Sequence, residues 1–254
     1  MPIQFISLGE IIVKTLAGGG KEVEIFGTTG SGKTTLLLGI AMHLIDDEIC
    51  IFRGLPSGQE FRFPGPLNII AYQCHPKFLN IPNPPEPTIV NGSFKDVLDA
   101  CVIGKLNVLY FPFENERHYW VSFARFLNRR HVMDFKSIYI SLLIDEAHEV
   151  MPTPEEGKTA DSKAFIRSMA DFRKFFVSGY FATHQHHDIH YLVHGKIQYR
   201  IYLKGAIVPK RETRVEQGLI DSLKLGQGIL SGSFFGMFTF DNYPPKYPVL
   251  VEQQ

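Results

Sequence analysis

An α/β fold with a mainly parallel, helix-covered sheet is predicted by three features of the sequence. Residues 23–38, VEIFGTTGSGKTTLLL, place a glycine-rich turn between a short apolar strand and a helical pattern. Residues 137–150, SIYISLLIDEAHEV, run from β-branched and apolar residues into two adjacent acids, as a buried parallel strand does when its carboxyl end meets solvent or ligand. Strand-like and helix-like patterns then alternate along the whole length, the order expected of a sheet built by crossovers. A chain of 254 residues that is 44% hydrophobic can bury a sizeable core, and one domain spanning residues 1–254 is expected.

Taken in order, residues 1–22 read as a lead-in with an edge strand or turn in ISLGEIIVKTL and a flexible AGGGK before the first core strand. After the helix that follows the glycine turn, residues 51–66 mix aromatic, Arg, Gly and Pro and suggest a hairpin or irregular excursion. LNIIAYQC (67–74) is a buried strand, and the proline-rich 76–87 is a surface loop, because Pro neither continues a helix nor donates in a central strand. Ser93 and Asp96 form a capping box that starts a short helix, and LNVLYFPF (106–113) is a strand.

Residues 116–131 put Tyr119, Trp120, Phe123, Phe126 and Leu127 on one helical face, with Arg117, Arg125, Arg129 and Arg130 off it. That stripe is packing rather than a platform for bases. A helix over 159–176, a strand over 178–184, a short helix after HQHHDIHYLVHG, a strand in IQYRIYLKG and a helix ending at Gly226 follow. GILSGSFFGMFTFD closes the fold as a C-terminal β-hairpin, with NYPPKYPV as a tail.

The chemistry starts in GTTGSGKT, which fills the pattern G-x-x-x-x-G-K-[ST]. Gly27, Gly30 and Gly32 allow a tight turn that aims backbone N–H groups at a phosphate chain, so residues Gly27, Thr28, Thr29, Gly30, Ser31, Gly32, Lys33, Thr34 and Thr35 are the expected ATP cradle. Lys33 reaches the terminal phosphates, and the Thr34 hydroxyl holds Mg²⁺ together with Asp145. Glu146 can accept a proton from attacking water, which favours hydrolysis over transfer to a bound acceptor. Gln185, beyond the strand GYFATH, is placed to touch both the γ-phosphate and that water. His184, His186, His187, His190 and His194 include i,i+4 pairs that could share a helical face and bind a metal, but no Cys or acidic cluster completes the ligand set, so an exposed polar loop is expected.

Composition narrows the setting. Lys plus Arg and Asp plus Glu both number 26, so no global field announces a nucleic-acid partner, although neutrality does not exclude a basic pore. Cys50, Cys74 and Cys101 are odd in number and lack C-x-x-C spacing, so neither a disulfide framework nor a zinc site is implied. No apolar run reaches the length of a membrane span and the start lacks a signal-peptide layout, so a cytoplasmic location is expected.

GTTGSGKTT, SLLIDEAHEV, FRKFFVSGYFATHQ and LKLGQGILSG together resemble the FtsK/HerA superfamily of DNA-pumping P-loop ATPases, over residues 22–250. The resemblance implies a RecA-like P-loop core, ATP hydrolysis with Mg²⁺, and a homohexameric ring around double-stranded DNA. It also implies that Arg173, in an Arg-Lys pair before the last motif strand, reaches the nucleotide of a neighbouring subunit. Gln73, Cys74 and His75 stand where many cellular members carry an acid, and neither an extra N-terminal domain nor a membrane anchor is expected here. These departures favour the small genome-packaging ATPases of tailless, membrane-containing icosahedral viruses, including archaeal ones. Capsid or internal-membrane proteins are then further partners, and the host cytoplasm or the virion is the setting. Arg53, Arg62, His187 and Lys196 are candidate phosphate-backbone contacts. A conjugation or phage-extrusion ATPase acting on single strands, and a nucleotide-dependent assembly switch, are the competing functions.

Overall fold

The computed structural model describes residues 5–129, 138–152, 159–244 and 248–253. Arg130 of the aromatic helix lies outside them. β1 (Phe5–Ser7) leads into α1 (Leu8–Ile11), which continues as a π-helical stretch, Ile12–Leu16. β2 (Glu22–Phe26), α2 (Lys33–Leu44), β3 (Ile49–Arg53), β4 (Leu67–Tyr72), β5 (Pro76–Leu79) and β6 (Thr88–Val90) follow. Next come α3 (Phe94–Asp99), β7 (Leu106–Tyr110), α4 (Glu116–Leu127), β8 (Ile140–Ile144), α5 (Thr159–Phe172) and β9 (Val177–Thr183). The chain closes with β10 (Tyr199–Leu203), α6 (Gln217–Asp221), β11 (Gln227–Ser231), β12 (Gly236–Thr239) and β13 (Leu250–Gln253).

Among the described residues the main sheet has the order β1-β12-β11-β10-β2-β9-β8-β3-β7-β4-β6. From β6 to β10 every neighbouring pair is parallel, and β11 alone runs the other way, between β10 and β12. The expected C-terminal hairpin is therefore present, as β11 and β12. Parallel strands need both faces covered. One face packs Val23 and Ile25 of β2 against Leu36, Leu37 and Ile40 of α2. The other carries α4 and α5, whose Trp120, Phe123, Phe165 and Phe172 are fully buried. The expected capping box is also there, with the Ser93 amide donating to Asp96 Oδ2 at 2.6 Å.

Several expectations need correction. Of the hairpin or irregular excursion expected over 51–66, residues 54–66 form the irregular excursion, but Ile49–Arg53 is a central strand, buried at all five positions. With both faces covered it shows no alternation, and its charged end is neutralised by acids far away in sequence. The proline-rich loop contributes a short strand, β5, antiparallel to β13 in a separate two-stranded sheet, where Pro76 as a terminal residue is tolerated. ISLGEIIVKTL is mostly helical after its edge strand, because Ser7 and Glu10 form a capping box. The histidine-rich segment after β9 forms turns instead of a helix: Asp188 accepts from the Gln185 amide at 2.6 Å and the Thr183 hydroxyl at 3.4 Å. The helix expected to end at Gly226 is only the five residues of α6, since the Gln217 side chain bonds the Val208 amide and the Ala206 carbonyl of the preceding loop.

Candidate active site

Three strands deliver the site at their carboxyl ends. β9 lies between β2 and β8, so the loop after β2, the acids after β8 and the turn after β9 meet at one edge. Gly30 and Gly32 take left-handed backbone, φ 76° and 97°, and Gly32 caps the start of α2. A Cβ on Gly27 would stand 2.2 Å from Ser31 Oγ, so the first turn of the loop requires glycine. α2 thus points its amino end, with its partial positive charge, into a cleft of about 330 Å³ lined by Thr29, Lys33, Thr34, Arg62, Glu146 and His184.

Lys33 Nζ donates to the Gly27 carbonyl at 2.9 Å and the Thr28 carbonyl at 3.3 Å, and lies 3.1 Å from His184 Nδ1. Burial lowers its pKa, opposed by Glu146, Asp145 and Asp188. The Thr34 hydroxyl donates to Asp145 Oδ2, which brings two hard oxygen donors together at the head of α2. That donor pair suits Mg²⁺. Asp145 is almost fully buried, and burial pushes its pKa up against the Thr34 bond and the Lys33 charge, so a cation at this point would relieve it. Glu146 follows in left-handed backbone, φ 49°. Its Oε2 lies 3.3 Å from His184 Nε2 and 3.5 Å from His148 Nδ1.

Two residues occupy positions the sequence did not assign. Arg53, proposed for DNA, is 1% exposed and cannot touch it. Its Nη1 donates to the carbonyls of Asp145 at 2.9 Å and Glu146 at 3.2 Å, while Nε and Nη2 pair with Glu116 at 2.6 Å and Nη2 also with Glu149. Arg53 therefore holds the acidic turn from behind. His184, one residue before Gln185, is the side chain that bridges Lys33 and Glu146. Gln185 is half-buried beside it, its side-chain Oε1 without a hydrogen-bond partner, and it does not line the cleft. Both lie in the bend just beyond β9, where the Gln185 amide is tied to Asp188, and no local pattern reveals which of the two faces the phosphate loop.

Arg62 lines the cleft, whereas His187 and Lys196 are exposed. Arg173 is exposed in the turn before β9 and packs against Gly20, where a Cβ would stand 3.1 Å from its Cγ. That is the amino end of β2, about 16 Å of strand from the phosphate loop. The structure does not bring Arg173 to its own chain's site.

Behind the cleft, Glu60 is fully buried and accepts from the Tyr110 hydroxyl. Burial pushes its pKa up from 4.5 to about 8. Folded chain then holds a proton that unfolded chain has released between these values, so this group's stabilisation is complete below pH 4.5 and is lost as pH rises through about 8. Glu60→Gln should accordingly gain thermal stability relative to wild type as pH is raised from 5 to 9. Melting curves that stay parallel across that range would reject the assignment.

No family model matches the chain and no curated protein does. Solved structures do. The genome packaging NTPase B204 from Sulfolobus turreted icosahedral virus 2, in complex with sulfate, matches with a TM-score of 0.57 and 12% identity, covering 89% of this chain and all of that one. B204 from Sulfolobus turreted icosahedral virus, a DNA-packaging ATPase, matches at 0.55 and 14%, covering 88% and 99%. The fold is that of the B204 packaging NTPase. ATPases 2 and 3 of EssC from Geobacillus thermodenitrificans share it at 0.53 and 9%, over 90% of this chain and 42% of that one. The likeness to B204 covers 89% of this chain and all of that one, so the expected mainly parallel, helix-covered P-loop NTPase fold is shared over most of the chain. Among the described residues no helix is long and apolar enough to cross a membrane.

Proposed function

We propose that this chain is an ATP-hydrolysing motor of the FtsK/HerA superfamily that moves double-stranded DNA, in the setting of viral genome packaging into a preformed capsid. The observation that carries the proposal is the convergence of Lys33, Thr34, Asp145 and Glu146 at the carboxyl ends of neighbouring strands, in a chain that shares the B204 fold over 89% of its length. Backbone amides of residues 27–35 cradle the phosphates, and Lys33 leaves its loop carbonyls for the terminal phosphate. Thr34 and Asp145 would hold Mg²⁺, which neutralises charge on the β- and γ-phosphate oxygens. Glu146 takes the proton of the attacking water, and His184 links that carboxylate to Lys33 in the reporting role expected of Gln185.

Arg173 cannot serve its own site, and its exposure suits a site on a second copy in a closed ring, with six as the expected number. DNA contacts in such a ring go to phosphates and are salt-sensitive. Capsid or internal-membrane proteins would receive the ring from the host cytoplasm or within the virion.

The test is ATP turnover with and without duplex DNA, followed by titration of wild-type subunits with Arg173→Ala. A motor accelerates many-fold with duplex; equal response to single strands, or no response, would favour the extrusion or switch readings instead. Turnover falling below simple dilution is the expected result for an arginine acting between subunits. Linear dilution removes Arg173 from the mechanism.

A further inference from the structure

A second cluster of polar side chains lies away from the phosphate cleft. Glu24, in the middle of β2, is fully buried, a position at which a lone carboxylate is costly. His194 Nδ1 lies 2.7 Å from Glu24 Oε1. His186 stacks its ring on that of His194, centroids 3.4 Å apart, and its own Nδ1 is buried without a hydrogen-bond partner. Ligand atoms from the three residues all fall within 4.8 Å of one another. Beside them opens a cavity of about 790 Å³ lined by both histidines, Arg200, Tyr202 and Glu212.

We propose that Glu24, His186 and His194 bind one divalent transition-metal ion, zinc by their donor chemistry, with a fourth position open to the adjacent cavity. Two imidazoles and one carboxylate are a set that zinc accepts in tetrahedral geometry, whereas Mg²⁺ and Ca²⁺ prefer oxygen ligands. Zinc holds such ligands roughly 3.3 Å apart, so atoms as far apart as 4.8 Å would close by about 1.5 Å, while the 2.7 Å pair of His194 Nδ1 and Glu24 Oε1 would open by about 0.6 Å. Glu24 would bind through Oε1, because Oε2 is turned to the Arg200 guanidinium, 3.5 Å from its Nε. Arg200 also donates to the His194 carbonyl at 3.1 Å, so its guanidinium orients both the carboxylate and the histidine segment.

The sequence hid this set. Glu24 is separated from the histidines by some 160 residues, and only the parallel pairing of β2 with β9 and β10 brings them together. Bound metal would fasten the turn after β9 to β2, two residues from His184.

The test uses the full chain, stripped with chelator and free of nucleotide and Mg²⁺, titrated with Zn²⁺ by calorimetry and with Co²⁺ by visible absorption. One equivalent is expected, with a tetrahedral Co²⁺ spectrum and a metal-dependent rise in melting temperature. His186→Ala, which removes a side chain with no hydrogen bond in the cluster, should weaken binding by at least about tenfold. The near-isosteric Glu24→Gln should do the same, and the exposed His187→Ala should bind as wild type does. Absence of stoichiometric binding overturns the proposal. So does binding that survives His186→Ala but is lost in His148→Ala, which would put the ion beside Glu146.

Discussion

Glu146→Gln should lower ATP turnover by about two to four orders of magnitude while nucleotide affinity stays within a few-fold of wild type. The substitution keeps the shape of the side chain against His184 and His148 and removes only its capacity to take a proton. Lys33→Ala should behave differently. It removes the one cation that the Gly27 and Thr28 carbonyls hold at the mouth of the loop, and nucleotide binding itself should fail. Single-turnover hydrolysis alongside equilibrium binding of a fluorescent ATP analogue separates the two. Unchanged turnover in Glu146→Gln would remove that residue as the base.

Arg53→Met is the substitution expected to cost most in stability. Arg53 is 1% exposed and its partners Glu116 and Glu149 are 12% and 51% exposed, so its loss strands Glu116 in particular as a largely buried carboxylate without its cation. Breaking a buried pair in this way costs about 3–5 kcal/mol. For a chain of this size each kcal/mol lowers the melting temperature by about 2–4 °C, so a fall of roughly 10 °C is expected. Adding Glu116→Gln should recover part of it, because the stranded charge is then gone. A melting temperature within a degree of wild type would show that the network carries no net stability. Turnover should fall as well, since the Asp145 and Glu146 carbonyls lose the donor that fixes their turn.

The parts of the site that the sequence disclosed are those whose residues adjoin one another along the chain. The cradle from Gly27 to Thr35 and the acids Asp145 and Glu146 each occupy one strand end, where local pattern and chemistry coincide. Arg53 was misread because a strand buried on both faces has no alternation, and because its neutralising acids come from α4 and from the turn after β8. His184 and Gln185 adjoin in the bend just beyond β9, and which of them turns to Lys33 and Glu146 leaves no mark in the sequence pattern. The short helices were overextended for a related reason: Asp188 and Gln217 bond backbone groups of their own turns, which competes with helix propagation and leaves no mark in hydrophobic spacing.

The sheet's outer edge sets the order in which the molecule can be completed. β1 pairs in parallel with β12, Phe5 opposite Met237, so the first described strand has no partner until the chain more than 200 residues further on has left the ribosome. Through that interval its edge stays uncovered, a state in which chains are prone to aggregate. Contacts this distant in sequence also form slowly. Leu225 and Asn242, which line the phosphate cleft, flank β11 and β12, so they are delivered in the same late step. A phosphate ligand can therefore stabilise the finished cleft but not the growing chain.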